Sequence, residues 1–281
     1  MEFSRKTYLD RWIERKHNGL VKILTGIHGC GKSYLLRKLF RDYLIKSGVA
    51  SDHICVYEFP RSSDRSMCSP DVFFADLKKR LPETGRCYLL LDDVEYLSDA
   101  AQVLNALNRE DRLDVYVTVS HASGFATDVS TVFRGRCDVV HVFPLSFAEF
   151  VSGFDGGLHE AWAQYSRYGG MPAVVALESE EEKRSRLTSF LKDACAADMV
   201  GQYGVGKTRE LEALIRVVAS CMGKFIDPTQ VAKQSTNGAA VTVNTVGCYL
   251  KYLEDAFLIR AARRYDIKRN RRFGSPVKSQ I

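Results

Sequence analysis

Along the first half of the chain, apolar residues recur in short unbroken runs separated by stretches with helical spacing. Val21–Thr25 reads as a buried strand, and four more runs follow at residues 53–59, 86–91, 114–119 and 138–143. Between them, residues 33–46 place Leu35, Leu36, Leu39, Phe40 and Tyr43 on one helical face, with Gly48 as the stop. Residues 70–81 predict a second helix, with Ser69 as N-cap and Pro70 at the first position, and residues 99–109 a third, capped by Ser98. Strands rich in Val, Leu and Ile that alternate with helices imply an α/β fold, a parallel sheet covered by helices on both faces.

From Pro144 onward the strand signal stops. Ser146 caps a short helix through Val151, residues 158–168 read as another, and Gly169-Gly170-Met171-Pro172 is a turn cluster before a charged helix from Ser179 to about Val200. Three further helices at 209–222, 228–235 and 243–254 precede an apolar strand at 256–259 and a second stretch at 261–267. Three helices followed by a β-wing describe a winged helix, with 243–254 in the place of the recognition helix. The expected organisation is a nucleotide-binding core over 1–150, a helical lid or connector over 151–205, a winged-helix domain over 206–270 and a basic tail over 271–281.

The chemistry starts where the first strand ends. Gly26-Ile27-His28-Gly29-Cys30-Gly31-Lys32-Ser33 fills every fixed position of the phosphate-binding P-loop, between the required strand and helix. Backbone N–H groups of such a loop, together with the helix N-terminus, favour an anion. Gly26 through Ser33, with Tyr34 beyond them, are therefore the expected nucleotide-binding residues, and the ligand is ATP. Lys32 reaches for the β- and γ-phosphates, and the Ser33 hydroxyl for Mg²⁺. The run Cys87-Tyr88-Leu89-Leu90-Leu91 ends in Asp92-Asp93, a Walker B-like element. Asp92 would hold Mg²⁺ directly or through water, and Asp93 would act as general base toward the attacking water. The strand at 114–119 ends in Ser120-His121, which could touch the γ-phosphate or the water. Acids at a strand end and Ser-His pairs also occur as plain caps, and it is the upstream P-loop that changes this reading.

Composition narrows the picture. With 281 residues and 46% hydrophobic content, the chain is long enough for one sizeable core and one or two small domains. The net charge is +6, and the stretch from Arg260 onward carries eight Lys and Arg against Asp266, so the remainder is near neutral. A basic end of this kind suits nucleic acid or an acidic surface, or simply a solvated wing. Eight cysteines lack any C-x-x-C pair, and Cys55, Cys87 and Cys195 fall in apolar patterns, which reads as reduced thiols and a cytoplasmic setting. Cys30 sits where a helix N-terminus could lower a thiol pKa, although a small residue filling a tight loop is the better reading. No apolar run is long enough to span a membrane, and the start Met1-Glu2-Phe3-Ser4-Arg5-Lys6 lacks the apolar core of a signal peptide.

Most of the chain resembles the AAA-superfamily predicted ATPases of bacteria and archaea, which join an AAA-type core to a winged helix and a nuclease-like C-terminal domain. The residues that carry the resemblance are the P-loop with Tyr34-Leu35-Leu36, Leu91-Asp92-Asp93-Val94-Glu95, Val117-Thr118-Val119-Ser120-His121, Arg134-Gly135-Arg136 and Pro144-Leu145-Ser146-Phe147-Ala148-Glu149-Phe150. Tyr168-Gly169-Gly170-Met171-Pro172 and Tyr252-Leu253-Glu254-Asp255-Ala256-Phe257-Leu258-Ile259 complete it. It implies ATP binding, a Walker B aspartate at Asp92, a sensor around Ser120 and His121, and a functional arginine at Arg136. Four departures qualify it. Asp93 stands where the family has Glu, Val119-Ser120-His121 replaces Gly-Ser-Asn, Gln202 replaces an arginine shortly after Asp198, and His28 and Gly29 replace the loop arginines. The chain stops at Ile281, just past Ser275-Pro276-Val277-Lys278, where the family leads into its nuclease-like part, so no nuclease activity is expected of it.

The shorter Asp93 side chain predicts that ATP binding survives better than turnover. The leading expectation is thus an AAA-type ATPase acting as a nucleotide-dependent switch with slow hydrolysis, and a protein client, a DNA contact through the winged helix and homo-oligomerisation are the partners it allows. The alternative is a DNA-binding winged-helix regulator with ATP as a structural or regulatory ligand. Against it, the recognition-type helix carries only Lys251 as a cation, with Glu254 and Asp255 near its end. A small-molecule kinase would share the P-loop but has no need of the added module.

Overall fold

The computed structural model describes residues 3–59, 66–120, 137–193, 208–221, 225–234, 242–262, 265–266, 271–272 and 277–280. The chain divides into two units, Met1–Leu187 and Thr188–Ile281. The first is built on five strands, β1 (Val21–Thr25), β2 (Ile54–Glu58), β3 (Cys87–Asp92), β4 (Leu113–Val119) and β5 (Cys137–His141). They pair in parallel in the order β2-β3-β4-β1-β5. The α/β reading of the apolar runs holds, with ends shifted by one or two residues.

Alternation along each strand sends successive side chains to opposite faces and so divides the core in two. One face gathers Val21, Ile23, Leu89, Leu91, Val115 and Val117 beneath helices α3 (Pro70–Arg80) and α4 (Ala100–Leu107). The other gathers Leu24, Leu90 and Tyr116 beneath the helix after the P-loop. That helix, α2 (32–46), is continuous but carries π-type hydrogen bonding over Leu35–Phe40. The strand-and-helix reading passed over α1 (Lys6–Glu14), which precedes β1. Its Trp12 is fully buried, with ring centroids 5.1 Å from both Phe40 and Tyr116. Tyr8, Leu9, Trp12 and Ile13 at helical spacing were the legible signal for it.

Two capping expectations separate. At α5 (Phe147–Ser152) Ser146 forms a full capping box with Glu149, as its sequence predicts. At α4 the cap position falls one residue later than Ser98, on Asp99, whose carbonyl accepts from the Gln102 and Val103 N–H groups; Asp99 is left-handed and makes no side-chain cap bond. Ser69 stands at the start of α3 without a side-chain cap bond.

Part of the segment expected as a separate connector belongs to the first unit. The turn Gly169–Pro172, between α6 (Leu158–Tyr168) and α7 (Pro172–Val175), is held by the N–H of Leu145 donating to the Gly170 carbonyl at 2.8 Å. The Tyr165 hydroxyl donates to the Leu145 carbonyl at 2.8 Å. The Pro172 ring lies 3.6 Å from where a Cβ on Gly31 would stand, so this turn also rests against the P-loop. A Cβ on Gly170 would sit 2.1 Å from the Leu145 carbonyl oxygen, which is backbone and cannot swing away. Gly170→Ala is therefore expected to destabilise the first unit by about 2–4 kcal/mol, read as a lowered thermal midpoint. An unchanged midpoint would refute the close approach.

After α8 (Glu180–Asp193), the second unit runs α9 (Thr208–Ser220), β6 (Phe225–Ile226), α10 (Pro228–Gln234), α11 (Val243–Asp255) and β7 (Arg260–Ala262). A short pair follows, β8 (Tyr265–Asp266) with β9 (Arg271–Arg272), and then β10 (Val277–Gln280). Leu211, Leu214, Val218, Val231, Val246 and Leu253 form its core. The strand expected at 256–259 begins instead at Arg260. The N–H groups of Ala256, Phe257, Leu258 and Ile259 return to carbonyls of residues 252–254, closing the helix C-terminus, with Phe257 left-handed at φ 57°. Val277–Gln280, in the expected basic tail, is the middle strand of an antiparallel sheet ordered β6-β10-β7.

Candidate functional site

Because the sheet is parallel, all of its C-terminal strand ends open on one edge, the usual ligand side of such folds. β4 pairs with β1 through Thr25↔Val119 and with β3 through Leu91↔Val117. The P-loop, Ser120 and Asp92 therefore emerge from three adjacent tips, with Ser120 between the other two.

The loop is shaped by backbone contacts. Gly26 adopts φ +149°, and a Cβ there would stand 2.2 Å from the Val142 carbonyl oxygen, so the first glycine of the motif lets the loop pass β5. Cys30 is fully buried, with its thiol donating to that same carbonyl at 3.3 Å. Burial pushes the Cys30 thiol pKa up, which removes the reactive-thiol option and leaves the small filler residue. Lys32, 3% exposed, folds back over its own loop and donates to the Gly26 and Ile27 carbonyls at 2.8 and 3.1 Å. Its ammonium is thus held at the loop by neutral acceptors that an anionic phosphate readily outcompetes. Ile27, His28, Gly29 and Gly31 complete the loop, and Tyr34 lies half-buried on the first turn of α2.

Asp92 is the most enclosed acid of the site, 1% exposed. It accepts from the Thr118 hydroxyl at 2.6 Å and from the Ser33 hydroxyl, and it pairs with Arg37 Nε at 3.2 Å. Burial raises its pKa, while the two hydroxyls and the Arg37 charge pull it back. The Ser33 hydroxyl and the Asp92 carboxylate are thus adjacent, a hard oxygen set of the kind that Mg²⁺ takes alongside phosphate oxygens. The residues fit the ion.

Asp93 turns the chain. It is left-handed at φ 54°, its N–H donates to Thr118 Oγ1 at 2.9 Å, and it leads into a 3₁₀ turn, Val94–Tyr96. That turn brings Glu95 back to the site, where it accepts from the Ser120 N–H at 2.8 Å, while the Ser120 hydroxyl donates to Asp93 at 3.2 Å. Ser120 thereby ties two carboxylates to the tip of β4. The Asp93 carboxyl is pushed up to about 6, first by burial and then by Glu95 and Asp92, with Lys32 and Ser120 drawing it down.

The fold therefore brings together Gly26 to Ser33, Asp92, Asp93 and Ser120. His121 and Arg136 lie outside the described residues, as do Asp198 and Gln202. Thr118, Glu95 and Arg37 were missed. Thr118 had a signal in being a polar residue near the C-terminal end of a largely apolar buried strand, and Arg37 in standing one helical turn beyond Ser33.

This arrangement defines an α/β protein of the P-loop class. Residues 18–151 match a family model described as an AAA domain, in agreement with the P-loop and the Asp92-Asp93 pair that this segment carries. Residues 159–278 match a second family, a domain of unknown function designated DUF8612. An uncharacterized Haemophilus influenzae protein is 29% identical over 272 residues, covering 94% of this chain and 68% of its own length. MJ1544 of Methanocaldococcus jannaschii is 18% identical over 265 residues, covering 88% of this chain and 57% of its own length. Among solved structures, the ADP form of the Aeropyrum pernix ORC2 protein aligns with a TM-score of 0.46 at 13% identity, covering 91% of this chain and 85% of that one. No described helix is long and apolar enough to cross a membrane.

Proposed function

We propose that the first unit captures ATP with Mg²⁺ and uses it as a nucleotide-dependent switch with slow hydrolysis. The observation that carries this reading is the convergence of Lys32, Ser33, Asp92 and Ser120 at three adjacent strand tips. In it, the loop amides and the N-terminus of α2 cradle the phosphates. Lys32 exchanges two carbonyls for β- and γ-phosphate oxygens, and Ser33 and Asp92 hold Mg²⁺. The bound ion supplies charge neutralisation between those phosphates. Asp93 accepts the proton of the attacking water, and its short side chain keeps turnover low. His121 and Arg136 remain proposed contacts to the nucleotide.

The second unit supports a winged-helix reading through its order of helix, strand, two helices and then the strands β7 and β10, which complete a sheet ordered β6-β10-β7. Val243, Asn244, Gly247, Cys248 and Lys251 are exposed on α11, and only one of them is a cation. That favours a protein client over a DNA groove as the partner of this face.

Calorimetry with ATP and MgCl₂ on the full chain is expected to give saturable heat, lost when ATP is replaced by adenosine. Absence of heat with ATP would remove the reading. Light scattering with and without nucleotide then tests homo-oligomerisation, for which a nucleotide-dependent increase in mass is the expected result.

A further inference from the structure

Arg37 stands one turn beyond Ser33 on α2, so the two side chains share a helix face. Both reach Asp92, the serine through its hydroxyl and the arginine through Nε, 3.2 Å from Oδ2. Thr118 holds the other oxygen, Oδ1, at 2.6 Å. Arg37 has a second carboxylate as well, since its Nη1 pairs with Glu58. Glu58 is the register partner of Asp92 on β2, so one guanidinium spans neighbouring strand tips. The two acids differ in setting: the Asp92 side chain is 1% exposed, whereas that of Glu58 is 62% exposed.

We propose that Arg37 is a built-in counter-ion that takes the cation position beside Asp92 in the nucleotide-free protein and transfers to Glu58 when Mg²⁺ enters with nucleotide, so that it sets the metal requirement of the site. The inference rests on the Mg-ATP reading above. A guanidinium and a divalent cation compete for the same buried carboxylate, and two positive groups beside it repel each other, although Arg37 itself is 37% exposed and partly screened by water. Displacement does not strand Arg37, because Glu58 already holds its other arm at the solvent edge. The guanidinium stays charged at every accessible pH, so the competition depends on Mg²⁺ concentration and not on protonation of the arginine.

The test titrates MgCl₂ into the full chain at saturating AMPPNP, a non-hydrolysable ATP analogue, and reads the Mg²⁺ concentration that gives half of the AMPPNP-induced rise in melting temperature. Arg37→Met is expected to lower this midpoint about tenfold, and Glu58→Gln, which leaves Arg37 only Asp92, to raise it about threefold. Arg37→Lys keeps the charge but lacks the fork needed to span both acids. It should fall between wild type and Arg37→Met, and it serves if the methionine variant does not fold. AMPPNP binding to the wild type in EDTA, read by the same melting shift, tests the nucleotide site by itself. An unchanged or raised midpoint in Arg37→Met, or in Arg37→Lys in its stead, overturns the proposal while AMPPNP binding leaves the nucleotide reading standing. No AMPPNP response in the wild type, with or without MgCl₂, overturns both.

Discussion

Lys32→Ala is expected to weaken ATP binding about a hundredfold and to abolish turnover, because the ammonium supplies charge-assisted bonds worth roughly 3 kcal/mol to the phosphates. The nucleotide-free fold should tolerate the change. Among the described residues Lys32 bonds the Gly26 and Ile27 carbonyls of its own loop, and the loop shape is set elsewhere, by Gly26 and Cys30 against Val142. The measurement is calorimetry with ATP alongside a thermal midpoint without nucleotide. Retained affinity would show that the cradle does not act on phosphate through this residue. A large fall in the nucleotide-free midpoint would show instead that Lys32 is chiefly structural.

Asp93→Glu is expected to raise hydrolysis, by as much as a hundredfold if the missing methylene is the whole deficit, since misplacement by about 1 Å has that order of effect. Asp93→Asn should remove turnover while leaving ATP binding intact. The pH dependence has a definite sign. With its carboxyl pushed up to about 6 in the protein without nucleotide, Asp93 becomes an effective base only as pH rises through that value, so kcat/KM for ATP should climb between about pH 5 and 7. Stability runs the other way in the nucleotide-free protein. The folded state holds this proton more tightly than the unfolded chain, whose carboxyl titrates near 4. Stability therefore falls as pH rises from about 4 to 6, and the cost, on the order of 2–3 kcal/mol, persists above that. Asp93→Asn should then melt higher than wild type at pH 7 and close to it at pH 4. Equal melting at both values would mean that the acidic cluster is not under the strain its burial implies, and no gain from Asp93→Glu would mean that reach is not what limits the base.

The two acids show how far the chain could be read in one dimension. Asp92 ends an apolar run downstream of a P-loop, and that local grammar alone carried its reading as a metal ligand; its enclosure by Thr118, Ser33 and Arg37 came from the fold. Asp93 was assigned with it, but the left-handed turn it makes depends on the Thr118 hydroxyl, 25 residues away. Glu95 was visible only as a neighbour in the motif. Its role at Ser120 arises because a 3₁₀ turn folds it back against the tip of β4. The strand misplaced at 256–259 has a similar origin: an apolar run carries no mark that its amides are needed to close the preceding helix.

The amino-acid order by itself determined the succession of strands and helices from β1 to β5 and the positions of Lys32 and Ser33 beyond one strand end and of Asp92 at another, because apolar period and the phosphate-loop motif are both written over a few consecutive residues. The strand order β2-β3-β4-β1-β5 was decided only in three dimensions, and with it the placing of Thr118, Ser120, Glu95 and Arg37 around the two aspartates. Strand pairing joins residues far apart in the chain through packing on both faces of the sheet, and no local spacing records which strand will lie beside which.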